Sequence, residues 1–287
     1  MVEPVCDEHV IEAIGRCRVV IRNGEVVEVG EPQITDCPLA KRFAVPVEEF
    51  SKEAIKANIE HRIKSFGMCT PRRDVLATED FVGFGASELL SSGMRAGMID
   101  AAVLASDGAG TVVVTTPEMI QGIGGRMSGL VTTTPIKEVI DRIESHGGFV
   151  LDHRTAKLDQ PAGADLAVKK GYTKIAVTVA GPDAAEIIRR NHPNALIFVV
   201  HTSGLTEDEA CRLSAVVDLV TGCASKTVRQ IMGPKALLQA GASIPIYAMT
   251  KRGKQLIAHR IVESKATFFL KSSRLPVIGD QEPRPLV

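Results

Sequence analysis

The chain has no tryptophan, and aromatic residues make up only 4% of it, which leaves few flat surfaces on which unpaired bases could stack. An excess of either charge sign is missing too: 34 Lys and Arg offset 34 Asp and Glu, so no net field draws the protein to nucleic acid or to an anionic membrane surface. No apolar run reaches the length of a membrane span. The first residues form neither a basic leader nor an apolar leader segment, so a cytoplasmic location is expected. In that compartment thiols stay reduced, so the six cysteines are expected to be buried small hydrophobes, reactive thiols or metal ligands rather than structural disulfides. No C-x-x-C spacing occurs anywhere, so the usual sequence signature of a zinc site or iron-sulfur cluster is absent.

What is present reads as an α/β protein with a mostly parallel sheet flanked by helices, preceded by a small N-terminal α+β lobe containing a β-hairpin. The lobe spans residues 1–75, the α/β domain 76–271, and a mobile tail 272–287. An opening helix is expected over about Asp7 to Gly15. Arg18 to Val29 then places two β-branched runs around Asn23-Gly24, whose residues accept the positive φ values of a two-residue hairpin turn. A polar helix follows from about Val47 to Phe66. Beyond Asp80 the pattern changes to a helix (Ser87 to Ala96), an apolar strand (Ile99 to Ala105), and a further strand from Thr111 to Thr115. Thr116-Pro117 is a helix start, with Thr as N-cap and Pro in the first turn. Strands at Lys174 to Val179, Ala195 to Val200, Asp218 to Thr221 and Ile244 to Met249 alternate with helices, which predicts right-handed crossovers and parallel pairing.

In such a sheet ligands collect beyond the carboxyl ends of the strands, where helix N-termini present free N–H groups. Five loops are predicted to meet there: Ser106 to Thr111, Ala180-Gly181, His201 to Gly204, Thr221 to Thr227, and Thr250 to Arg252. Within them Asp107, Gly108, Gly110, Thr111, Ser203, Gly204, Ser225, Lys226 and Thr227 are candidate contacts to a small anionic, nucleotide-like ligand, with Arg126 as a further guanidinium. Each loop alone is as readily a helix cap or turn; their shared edge is what favours a site. Cys223, just before a helix start and near Lys226, is a candidate nucleophile, and His201 a candidate general base. The bland alternatives are a buried thiol and a packing histidine. Gln121 to Arg126 resembles a dinucleotide loop but lacks the spacing and follows a helix, so a tight turn or close packing is expected. Cys37 and Cys69 are candidate metal ligands assembled through the fold, with Cys6 or Cys17 as a third.

The segments Val19 to Pro32, Asp36 to Leu39, Phe66 to Thr70, Ser106 to Thr111, Gln121 to Gly129, His201 to Gly204 and Cys223 to Lys226 resemble the archaeal methanogenesis marker protein 8 family. That resemblance runs from about residue 7 to 263 and implies a role connected with methanogenesis. A shorter stretch, Gly85 to Val103 with Val113 to Ile120, is similar to the N-terminal region of the beta subunits of deazaflavin-coenzyme-reducing hydrogenases and dehydrogenases. It implies a flavin or deazaflavin ligand and an iron-sulfur cluster, although the cysteine-rich motif of those subunits is missing here. Together these readings give a redox enzyme or redox accessory protein, or else a non-catalytic assembly or maturation factor for a methanogenic enzyme complex. A homo-oligomer is compatible with either.

Overall fold

A computed structural model describes residues 7–127 and 129–287. The first described element is a strand, β1 (Glu8–Ala13), where a helix was expected. Its residues are buried on both sides, Val10 as well as Ile11 and Ala13, so the alternation that marks a half-exposed strand is absent. β2 (Cys17–Arg22) and β3 (Glu25–Val29) form the expected hairpin, with Asn23 at φ 50° and Gly24 at φ 76°. The helix Lys52–Phe66 begins five residues after the expected start, at the N-cap Ser51, whose hydroxyl accepts the Ala54 N–H. It ends at Gly67 in the left-handed region (φ 73°).

The larger sheet contains β4 (Ala101–Ser106), β5 (Gly110–Val114), β7 (Phe149–Val150), β8 (Ile175–Val179), β9 (Leu196–Val199), β10 (Leu219–Thr221), β11 (Leu238–Ala240) and β12 (Ile246–Ala248). Its order is β11-β12-β10-β9-β8-β4-β5-β7, and the neighbours among β4, β8, β9 and β10 are parallel. Only β5 and β12 run against the rest. Alternate residues of each strand feed opposite cores: Leu104, Phe198 and Leu219 on one face, Val103, Ile197 and Val220 on the other. Helices Ala86–Arg95, Lys137–Ser145 and Lys251–Glu263 cover the first face; Gln160–Lys169, Pro182–Asn191 and Glu207–Val216 cover the second. Burial on both faces is why these strands read as continuous apolar runs.

Two departures from the sequence reading matter for the site. β12 pairs antiparallel with β10, Thr221 opposite Ile246 and Leu219 opposite Ala248. The cause is β11, an extra short strand that runs with β10 and forces β12 to return. Thr250, Lys251 and Arg252 therefore sit at the opposite rim, where the Thr250 hydroxyl donates to Asp218 Oδ1 at 2.6 Å. The second departure is β6 (Gly129–Thr133), which leaves the larger unit to pair with β1 and makes the lobe sheet four-stranded, β3-β2-β1-β6.

The expected close packing after Thr116 is found at Gly122, in the π-helical turn Ile120–Gly124. A Cβ there would stand 2.2 Å from the Val75 carbonyl oxygen and 2.5 Å from the Leu76 nitrogen. Gly122→Ala is accordingly expected to destabilise the fold by about 1–3 kcal/mol, read as a lower denaturant midpoint with an unchanged slope.

Candidate functional site

Between the carboxyl ends of β4, β8, β9 and β10 and the N-terminal lobe lies a cleft of about 1940 Å³. Its floor is Ala105, Thr178 to Ala180, Val200, His201, Thr221 and Cys223; its roof comes from Glu12, Arg16, the loop around Cys37, and the helix Lys52–Phe66. Asn58, His61, Arg62 and Ser65 recur at helical spacing and so line one wall together. Beside them three guanidinium groups surround the Phe66 ring, Arg73 at 5.1 Å, Arg126 at 5.2 Å and Arg62 at 5.9 Å from its centroid. Arg126 also pairs with Asp74 at 2.8 Å. Asn58 is 3% exposed and its Oδ1 has no hydrogen-bond partner in the structure.

The other end of the cleft carries the reactive groups. His201 and Cys223 both occupy the left-handed region, φ 55° and 39°, where residues with a Cβ are uncommon. Their loops interlock: the Ala224 N–H donates to Ser203 Oγ at 3.2 Å, and the Thr202 hydroxyl to the Thr221 carbonyl at 2.6 Å. Burial pushes the Cys223 thiol up, against opposing hydrogen bonds from Thr202 and the His201 backbone and the Arg229 charge. His201 is exposed to the cleft, and partial desolvation there shifts its pKa downward. Across from it stands Glu12, raised by burial against the pull of Arg16. Gly129 lies between the two, an added Cβ falling 3.2 Å from Glu12 Cβ and 3.5 Å from His201 Nδ1. An imidazole of lowered pKa, a carboxyl group of raised pKa and two thiols thus meet in one cleft, a set suited to proton transfer.

Of the residues singled out from sequence, His201, Ser203, Cys223, Arg126 and Cys37 line this cleft. The others do not. Asp107 is completely buried and paired with Arg73, Nε to Oδ1 at 2.9 Å and to Oδ2 at 3.1 Å, and it accepts the Cys69 N–H at 2.6 Å. Burial alone would raise its pKa, but Arg73, the Cys69 N–H and His9 outweigh this and hold it below the usual carboxylate range. Gly108 donates to Thr133 Oγ1 at 2.8 Å, within 2.5 Å of which lies His9 Nδ1. Gly110 packs against the Ala156 carbonyl, and Thr111 bonds Gln160 and the Asp159 N–H. Gly204 (φ 78°) leaves room for Arg16, whose Nη1 would be 1.9 Å from a Cβ. Ser225 is buried, bonding Thr227 and the Val228 N–H, while the Lys226 side chain is exposed outside the cleft wall. Cys69 is buried beside Asp107 and apart from the cleft wall that holds Cys37. Among the described residues no group of three or more His, Cys, Asp or Glu could hold a metal ion, so they do not fit an iron-sulfur cluster. Cys6 lies outside the described residues.

Sequence reasoning missed Glu12, Arg16 and Arg229. The first two lie in and just beyond a segment read as a helix. Arg229 sits in the π-helical turn Val228–Met232 and is buried, its Nη1 donating to the carbonyls of Gly222 (2.8 Å), Cys223 (2.7 Å) and Ser225 (3.1 Å). Its Nη2 donates to the Ser243 carbonyl at 3.0 Å, and its Nε to Glu282 at 3.0 Å. The side chain that holds the Cys223 loop is thus an interior cation aimed at backbone oxygens, a role no local motif announces.

Residues 9–262 match the family described as "Uncharacterized protein conserved in archaea (DUF2099)". The chain is also similar to the uncharacterized protein MJ0054 of Methanocaldococcus jannaschii, with 41% identity over 284 residues that cover 98% of this chain and all of the relative. No helix among the described residues is long and apolar enough to cross a membrane.

Proposed function

Starting from a chain that belongs to this conserved archaeal family, we propose a redox enzyme or redox accessory protein that binds a flavin, deazaflavin or similar nucleotide-like ligand in the cleft. The observation that carries the reading is the convergence of His201 and Cys223, both in strained backbone, at the carboxyl rim of parallel strands beside a cleft of about 1940 Å³. In this reading the ligand's anionic end lies along the wall of Arg62 and Arg126, and its reacting end meets Cys223, His201 and Glu12. His201 supplies a neutral ring nitrogen to take up a proton, and Glu12 a carboxyl group that can return one. A flavin or deazaflavin, when bound, would supply the two-electron chemistry. The connection to methanogenesis is part of the proposal and rests on the sequence resemblance.

The reading is tested by ligand-induced stabilisation of the purified chain. A true ligand at one hundred times its Kd is expected to add about 2.7 kcal/mol of stability, and Arg126→Gln to weaken binding about tenfold, roughly 1.4 kcal/mol. No stabilisation by flavin mononucleotide, flavin adenine dinucleotide, a deazaflavin or an adenine nucleotide would remove the proposal.

A further inference from the structure

Of the five described cysteines, three are placed for packing or lie away from the cleft. Cys17 is buried and donates to the Gly30 carbonyl at 3.1 Å; Cys69 is buried beside Asp107; Cys211 is exposed on the helix Glu207–Val216. Cys37 and Cys223 differ from these in both position and access. They are 186 positions apart in the chain, yet both are half-buried and both face the cleft.

Their loops are fixed to one short extended segment. Arg284 pairs with the residue before Cys37, its N–H donating to the Asp36 carbonyl at 2.9 Å while its own carbonyl accepts the Asp36 N–H at 3.1 Å and the Thr35 N–H at 2.6 Å. Val287 pairs with the residues after Cys223, its N–H donating to the Ala224 carbonyl at 2.8 Å and its carbonyl accepting the Lys226 N–H at 3.0 Å. Three extended steps separate these anchor points, a span of about 10 Å. The Cys37 and Ala224 side chains belong to the same apolar cluster, and Cys223 is near enough to Cys37 to act on its thiol. Pro283 and Gln281 of the same segment line the cleft.

We propose that Cys37 and Cys223 form a thiol–disulfide exchange centre that reduces a low-molecular-weight disulfide admitted to the cleft. The inference takes its location from the cleft reading above, but it needs no bound cofactor. Cys223 is the attacking sulfur because it stands at the carboxyl rim of the parallel strands, in a loop interlocked with the one that carries His201. Its thiolate attacks one sulfur of the substrate R–S–S–R′, the substrate S–S bond breaks, and R′S⁻ leaves and takes up the proton that Cys223 lost. The Cys37 thiolate then attacks the Cys223 sulfur of the mixed disulfide, releasing RS⁻, which takes up the Cys37 proton. Two electrons pass from the cysteine pair to the substrate, two thiols are released, and the Cys37–Cys223 disulfide remains for a dithiol reductant to reopen. The bond requires the two Cα atoms to approach within about 7 Å, an approach that the Cys37–Cys223 linkage itself tests.

The test is to expose the purified full chain, without added cofactor, to hydroxyethyl disulfide, then block free thiols and map disulfide-linked peptides by mass. The expected result is a Cys37–Cys223 linkage in the wild type and loss of two alkylatable thiols per chain. Cys37→Ser should instead trap hydroxyethanethiol on Cys223, and Cys223→Ser should abolish both products. Wild-type protein that yields no Cys37–Cys223 peptide, or forms only links through Cys211, overturns the proposal whatever the variants do. Because flavin binding is read separately by stabilisation, failure of one proposal leaves a distinct record from failure of the other.

Discussion

Asp107→Asn is expected to cost about 3–5 kcal/mol of stability, because it leaves the fully buried Arg73 guanidinium facing a neutral amide. That loss corresponds to a fall in Tm of roughly 5–8 °C for a chain of this size. Asp107 ties the turn after β4 to Arg73 and the Cys69 N–H, so its loss loosens the joint between the lobe and the larger sheet. A ligand contact would behave differently, losing affinity while keeping stability. The pH dependence separates the cases further. The folded-state pKa of Asp107 lies below its unfolded value, so its stabilising contribution is present above about pH 4 and is lost as pH falls through the folded value. The gap between wild type and Asp107→Asn should therefore hold steady near neutrality and close in acid, in denaturation curves measured across pH 2–7. A double replacement, Arg73→Met with Asp107→Leu, is expected to recover much of the loss, since it removes both charges together.

Arg229→Met should cost roughly 2–4 kcal/mol, because it strips buried carbonyl oxygens of Gly222, Cys223, Ser225 and Ser243 of their donor at once. The larger effect is local. Without those bonds the loop keeps its ties to Ser203 and Val287, but Cys223 is freer to relax from φ 39° towards ordinary backbone values. Hydrogen exchange should accelerate over residues 221–228, and alkylation of Cys223 should become faster while that of Cys211 stays unchanged. Equal protection in wild type and variant would show that Arg229 does not set the loop.

The same particulars show what the residues encode locally and what they do not. Asn23-Gly24 specified its hairpin because the turn chemistry lies in two adjacent residues. The runs at β4, β8, β9 and β10 specified parallel strands because burial on both faces leaves a continuous apolar signature. The segment at residues 8–13 carries no strand alternation, because Val10 is buried along with Ile11, and so reads locally as a helix although it is a strand. Pairing at long range left no local trace either: β6 joins β1 across more than a hundred residues, and β12 is reversed by β11, three residues long. For the site, His201, Ser203 and Cys223 were legible as small and reactive residues at strand ends. Asp107 has the same local signature and a different fate, decided by Arg73, 34 positions earlier.

The recruitment of β6 into the lobe sheet bears on how this chain can be cut. A fragment ending near residue 75 would keep β1, β2 and β3 but expose the β1 backbone groups that Gly129 to Thr133 now satisfy. Such a raw margin invites pairing with other copies and aggregation. The outer portion of the molecule is completed by residues encoded well downstream, so a ribosome must deliver more than 130 residues before that sheet can close.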